Sequence, residues 1–132
     1  GDSAAFYGDT EDQVLMIALV EDRKGIENID EIVSVPELDV LLVGPGDLSL
    51  DMGLAGKKGA PEVAAAVRHA EQRAKLAGKA TMRLVNTPDE ARQAADEGVN
   101  LIWTTIRHLM GSANGPWLKS IPARSEAAAA AD

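Results

Sequence analysis

The sequence predicts an α/β fold of about four β/α units with parallel strands. Three observations carry this. Four runs of strand character recur along the 132 residues, at 14–20, 39–43, 79–85 and 99–105. Segments of helical spacing separate them and end at glycine or proline. The resulting order, β-α-β-α-β-α-β with a further helical segment, implies parallel strands joined by right-handed crossovers. Four such units make either a small doubly wound sheet or half of an eight-unit barrel. A complete barrel takes about 250 residues, so 132 do not make a whole one.

Residues 1–13, "GDSAAFYGDTEDQ", are small, polar and acidic, and read as a mobile leader. "VLMIALV" (14–20) is an unbroken apolar run, the pattern of a parallel strand covered on both faces. In "GIENIDEIVSV", Ile26, Ile29, Ile32 and Val33 share a helix face, and Pro36 closes the segment. "DVLLV" (39–43) is a second buried strand, ending at Gly44-Pro45-Gly46. Pro61 occupies a good helix-starting position, and the helix it opens runs to a Gly78 cap.

"KATMRLV" (79–85) is a less apolar third strand. Thr87 as N-cap and Pro88 at the first helical position start a helix that closes at Gly98. "VNLIWTT" (99–105) is the fourth strand. Beyond it the pattern suggests a short helix, a turn at Asn114-Gly115-Pro116 and a docking segment. The domain therefore spans 14–122, followed by a low-complexity Ala-rich tail at 123–132.

Composition excludes several functions. A formal net charge of -8 argues against a nucleic-acid partner, which requires clustered Lys and Arg. No apolar run approaches the roughly 20 residues of a membrane span. The absence of cysteine removes disulfides and thiolate metal sites, in keeping with a cytoplasmic protein.

Two carboxylates stand out. Glu21 directly follows the first strand and Asp47 follows the second, 26 residues later, the span of one βαβ crossover. Neighbouring strands lie about 4.8 Å apart. Both acids would then emerge at the carboxyl edge of the sheet, where α/β folds hold ligands. Two converging carboxylates suit a hard divalent cation that keeps some water, Mg²⁺ or Mn²⁺. Against this stands the plainer reading that they are unrelated loop acids among 21 acidic residues. The Gly44-Pro45-Gly46 loop favours the site, because Gly46 lets backbone approach a ligand and the Gly46 and Asp47 amides can face a carboxylate. Ser49 and Asp51 are expected to cap a short following helix.

The stretch "ALVEDRKGIENIDEIVSVPELDVLLVGPGDLSLDMG" resembles the metal-binding core of the HpcH/HpaI aldolase family, relatives of the citrate lyase β subunit. The similarity runs from about Val14 to about Thr105. It rests on the glutamate after the first strand, the "GPGDLSLDMG" loop and the interval between them. The resemblance implies the C-terminal half of a TIM-type (β/α)8 barrel. It also implies C–C bond chemistry on 4-hydroxy-2-oxo acids through a pyruvate enolate, with an aldehyde as the other partner. Glu21 and Asp47 would hold Mg²⁺ or Mn²⁺, the amides of Gly46 and Asp47 would receive the oxo-acid carboxylate, and Leu84 would stand over the substrate.

Two departures qualify the match. Leu19 occupies a position where the family often has glutamine. The family's N-terminal half, with four strands, a substrate-binding arginine and a histidine for acid–base work, has no counterpart here. Arg107 and His108 follow the fourth strand and are the remaining catalytic candidates; Arg83 and His69 are poorer ones, and Trp103 and Trp117 read as packing residues. The reading is part of a metal-dependent aldolase, partnered by copies of itself or by a complementary N-terminal half. A citrate-lyase-like enzyme and a non-catalytic half-barrel that binds or oligomerises are the alternatives.

Overall fold

The computed structural model describes residues 14–120, so the expected leader and Ala-rich tail lie outside the described residues. Four strands, β1 (Ile17–Val20), β2 (Val40–Val43), β3 (Ala80–Leu84) and β4 (Leu101–Trp103), form one parallel sheet in the order β1-β2-β3-β4. That order settles which α/β architecture is present. A doubly wound sheet reverses its strand order at a switch point and carries helices on both faces. Here each strand is added on the same side of its predecessor, so right-handed crossovers send every helix to one face. This is a segment of barrel wall.

The helices are α1 (Arg23–Glu27), α2 (Ile29–Val33), α3 (Pro45–Asp51), α4 (Pro61–Leu76), α5 (Pro88–Asp96) and α6 (Ile106–Ser120). The main core lies between them and the sheet. Val20, Leu41 and Val43 project to the helix side and pack with Ile29, Val33, Leu48 and Val63. Val63, Ala70 and Ala74 are fully buried, so α4 meets the core through small side chains. Val85, Ala94 and Val99 form a smaller cluster under α5. None of the helices among the described residues is long and apolar enough to cross a membrane.

The register assigns the other sheet face. Leu19 pairs with Leu42, Leu42 with Met82, Met82 with Leu101, and Leu84 with Trp103. Side chains alternate along a strand, so these residues share the face opposite the helices.

Several local expectations change. The first apolar run enters the ladder only at Ile17, and it is not covered on both faces: Leu19 is 53% exposed. Among the described residues, the helices protect one face only, and the outer edge of β1 has no neighbouring strand. The single helix expected after Gly25 is two short ones, broken at Asn28; Ile29 and Val33 are buried while Ile26 and Ile32 are half-buried. Asp22 caps the first, accepting from the Gly25 N–H at 2.6 Å.

The turn expected at Asn114-Gly115-Pro116 is absent, and α6 runs through all three residues. A proline removes one N–H from a helix without having to end it. By contrast, α4 ends as expected: Gly78 has φ +75°, which glycine adopts without steric cost. Thr87 caps α5 as expected, its Oγ1 accepting from the Glu90 N–H at 3.1 Å.

Arg83 braces the helix side. Its Nε and Nη2 donate to the two carboxylate oxygens of the nearly buried Glu71 at 3.0 and 2.6 Å, and its Nη1 donates to Glu97 at 2.6 Å. Burial alone would lower the Arg83 pKa, but hydrogen bonds to Glu71 and Glu97 outweigh it and raise the pKa above its usual value. Arg83 thus ties β3 to α4 and to the end of α5.

Candidate metal and oxo-acid site

Val20 pairs with Val43, so the next residues, Glu21 and Gly44, lie side by side at the carboxyl ends of β1 and β2. The Gly44 N–H donates to the Val20 carbonyl at 2.8 Å, carrying the ladder one step beyond the strands. Gly44 has an ordinary φ of −93°, so its backbone does not require glycine. Space does. A Cβ there would sit 3.0 Å from Glu21 Cβ and 3.2 Å from Glu21 Oε2. The Glu21 side chain therefore rests against Gly44.

Pro45 then opens α3 at its first position, which places Asp47 in the first turn. The Gly46 and Asp47 amides belong to that turn and have no intrahelical acceptor. A Cβ at Gly46 would meet nothing within 4 Å, so open space lies beside its Cα. Ser49 and Asp51 do not cap a following helix, because α3 itself contains both. The buried Ser49 hydroxyl donates to the Gly46 carbonyl at 2.5 Å and holds the loop's shape. Asp51 accepts from the Arg23 N–H at 2.9 Å and from its Nε at 3.0 Å. The backbone N–H of Arg23, and then its guanidinium, hold the Asp51 carboxyl below the usual carboxylate range. The loop after β1 is thereby tied to α3.

Glu21, Gly46, Asp47 and Leu84 all line one cavity of about 300 Å³. Neither Glu21 nor Asp47 makes an ion pair among the described residues. No group of three or more His, Cys, Asp or Glu suited to a metal ion occurs among them either. Two unpaired carboxylates on one cavity, with room for water or substrate oxygens, fit a six-coordinate hard cation better than a closed tetrahedral one.

Three further residues line this cavity that sequence reasoning did not place there: Lys58, Asn86 and Trp103. Trp103 was expected to be packing, yet it is 44% exposed and is the register partner of Leu84. The signal available for Asn86 was strand alternation, two residues beyond Leu84. Lys58 carried no signal, since it lies in an irregular loop.

Arg107 and His108 do not line this cavity. The His108 Nδ1 is hydrogen-bonded to Thr105 Oγ1 at 2.7 Å, and the ring borders a separate cavity with Val85 and Ile102. His69 is exposed on α4, and Arg83 is held on the helix side. The Trp117 side chain lies outside those described.

Gly44→Ala offers a sensitive probe of this geometry. The added methyl group must displace the Glu21 side chain, while the backbone dihedral suits alanine. We expect Mn²⁺ affinity to fall about tenfold or more, with the thermal midpoint shifting little. Calorimetric titration beside a melting curve measures both; undiminished affinity would mean that Glu21 does not need this position.

The chain is 32% identical over 97 residues to the 2-keto-3-deoxy-L-rhamnonate aldolase of Escherichia coli K12, an overlap of 74% of this chain and 36% of that protein. It superposes on a HpcH/HpaI aldolase/citrate lyase family protein from Burkholderia cenocepacia J2315 with a TM-score of 0.82 and 26% identity, covering 90% of this chain and 47% of the other. The HpcH/HpaI aldolase of Desulfitobacterium hafniense DCB-2 gives a TM-score of 0.76 at 25% identity, covering 95% and 50%. The chain thus spans about a third of the length of the curated relatives and about half of the solved structures. Its sheet is half of a TIM-type barrel. The family model for HpcH/HpaI aldolase/citrate lyase matches residues 4–106, which include both strand-end carboxylates and the loop between Gly44 and Gly53. By sequence and by fold, the chain belongs to the HpcH/HpaI aldolase/citrate lyase family.

Proposed function

We propose that this chain carries the metal- and oxo-acid-binding part of a carbon–carbon lyase that cleaves or forms 4-hydroxy-2-oxo acids, with an aldehyde as the second partner. One observation supports this most: two carboxylates without ion pairs among the described residues, from adjacent parallel strand ends, share a cavity with Gly46 of the first helical turn. Glu21 and Asp47 hold Mg²⁺ or Mn²⁺. When bound, the cation supplies Lewis-acid stabilisation of negative charge developing on the 2-oxo oxygen. The Gly46 and Asp47 amides donate to the substrate carboxylate. Leu84 and Trp103 form the apolar wall that keeps water from the reacting carbons.

No histidine lines the cavity among the described residues. Asn86 is not suited to accept the proton of the cleaving hydroxyl, since an amide is not a base. General acid–base help is typically worth about 10²–10⁴-fold. The chain alone should therefore bind a 2-oxo acid weakly and turn over a 4-hydroxy-2-oxo acid at least about a hundredfold more slowly than when a complementary N-terminal half is added. Pyruvate release, coupled to an indicator enzyme in the presence of Mn²⁺, reads this directly. Vigorous turnover by the chain alone would put the acid–base group on this chain or on a neighbouring copy.

The exposed Leu19 and Trp103, and the edges of β1 and β4 that have no neighbouring strand among the described residues, support a partnered state, either with such a half or with copies of the chain. A cytoplasmic setting accords with the absence of cysteine.

A further inference from the structure

Two carboxylates that share a cation must be held at a fixed separation, and the strands alone do not hold Glu21 and Asp47. The β1–β2 ladder ends at the bond from the Gly44 N–H to the Val20 carbonyl, and both acids lie beyond it. Past that point α1 and α3 border a cavity of about 140 Å³, with Arg23, Ile26 and Glu27 on one side and Leu48 and Met52 on the other. Close packing fixes the distance between two elements, whereas a gap leaves it free to vary.

Two hydrogen bonds bridge the segments instead. Arg23 donates from its backbone N–H at 2.9 Å and from its Nε at 3.0 Å, and both bonds end on Asp51 Oδ2. Arg23 stands two residues after Glu21. Asp51 stands four residues after Asp47 in α3, a rise of about 6 Å or just over one turn. Neither Arg23 nor Asp51 lines the cavity of Glu21 and Asp47, so they reach those carboxylates through the backbone. The pair is poorly placed to stabilise the fold. Its side chains are 63% and 40% exposed, and ion pairs open to water add little stability.

We propose that the Arg23–Asp51 bond sets the separation of Glu21 and Asp47 and thereby the site's choice of cation, favouring Mg²⁺ over Ca²⁺. Arg23 and Asp51 are positioning residues. This rests on the metal site proposed above and adds what governs its selectivity. Mg²⁺ demands near-ideal octahedral geometry with bonds of about 2.0–2.1 Å, whereas Ca²⁺ accepts flexible arrangements at about 2.3–2.6 Å. Loosening the two carboxylates therefore penalises Mg²⁺ more.

The test is calorimetric titration of the full chain with Mg²⁺ and, separately, with Ca²⁺. Asp51→Ala should lower Mg²⁺ affinity about tenfold and Ca²⁺ affinity less than about threefold. Its thermal midpoint should barely move. Asp51→Asn should bind Mg²⁺ like the unsubstituted chain, because one amide oxygen can accept both Arg23 bonds. Arg23→Met removes a positive charge, which by its field alone would tighten cation binding. Loss of the Nε bond should instead weaken Mg²⁺ binding.

Equal losses of Mg²⁺ and Ca²⁺ affinity in Asp51→Ala would mark a plain charge effect and overturn the proposal. So would undiminished Mg²⁺ affinity, a matching loss in Asp51→Asn, tighter binding in Arg23→Met or a Ca²⁺ preference in the unsubstituted chain. A large fall in the Asp51→Ala midpoint would make the bond structural and overturn it as well. In each of these cases the metal site itself stands. Failure of the unsubstituted chain to bind Mg²⁺, Ca²⁺ or Mn²⁺ would overturn the metal-site reading, and this inference with it.

Discussion

Replacing both strand-end carboxylates, Glu21→Gln with Asp47→Asn, is expected to remove measurable Mn²⁺ binding while leaving the fold intact. The chemistry of the two changes is minimal: each exchanges an anionic oxygen for an amide of the same shape. A hard cation loses two charged ligands, and changes merely in a metal site's outer shell already cost about 10–100-fold in affinity. Stability should hold because both side chains are exposed and form no ion pair among the described residues. Surface substitutions of this kind usually stay within about 0.5 kcal/mol. Titration with Mn²⁺, followed by a urea melt of the same sample, separates the two effects. Affinity equal to that of the unsubstituted chain would make Glu21 and Asp47 ordinary surface charge. A single change at either position should give an intermediate loss.

Glu71→Ala should produce the largest stability loss among the charged positions. Glu71 is 7% exposed, and both its oxygens accept from Arg83, whose side chain is 23% exposed. Removing Glu71 leaves Arg83 Nε and Nη2 without acceptors while Glu97 still holds Nη1, which costs about 1–3 kcal/mol. For a domain near 100 residues, each kcal/mol moves the thermal midpoint by roughly 4–8 °C. Asp89→Ala provides the control, since Asp89 and Arg92 are a highly exposed pair whose loss should cost less than about 1 kcal/mol. Equal effects at Glu71 and Asp89 would show that burial does not govern the Arg83 brace.

The same brace has a pH signature at Glu97. Hydrogen bonds from Arg83, and then from Gln93, lower its pKa below the usual 4.5. A depressed carboxylate stabilises the fold fully above its unfolded pKa, and that contribution fades as pH falls through the folded one. Glu97→Gln should therefore lower stability at neutral pH, flatten the profile through that acid window and converge with the unsubstituted chain below it.

What the sequence by itself determined was local. The apolar runs located all four strands, because composition over four to seven residues reports burial on a sheet. Thr87 with Pro88, and the glycines at 78 and 98, marked helix ends through capping and left-handed turns, which involve only adjacent residues. The positions of Glu21 and Asp47 at the sheet's carboxyl edge were legible for the same reason: Glu21 follows one strand directly and Asp47 follows the next after Gly44-Pro45-Gly46.

The tertiary structure decided everything that depends on register or on neighbours. Strand order β1-β2-β3-β4, and with it a barrel wall in place of a doubly wound sheet, follows from which strands pair. The apolar run at 14–20 could not reveal that one face of β1 lacks a cover, since coverage belongs to helices elsewhere in the chain. Arg83 was ambiguous until register placed it on the helix side, opposite Leu84 and Trp103. Trp103, Lys58 and Asn86 joined Glu21 and Asp47 only when crossovers and loops brought them to one cavity, and no spacing along the chain encodes that distance.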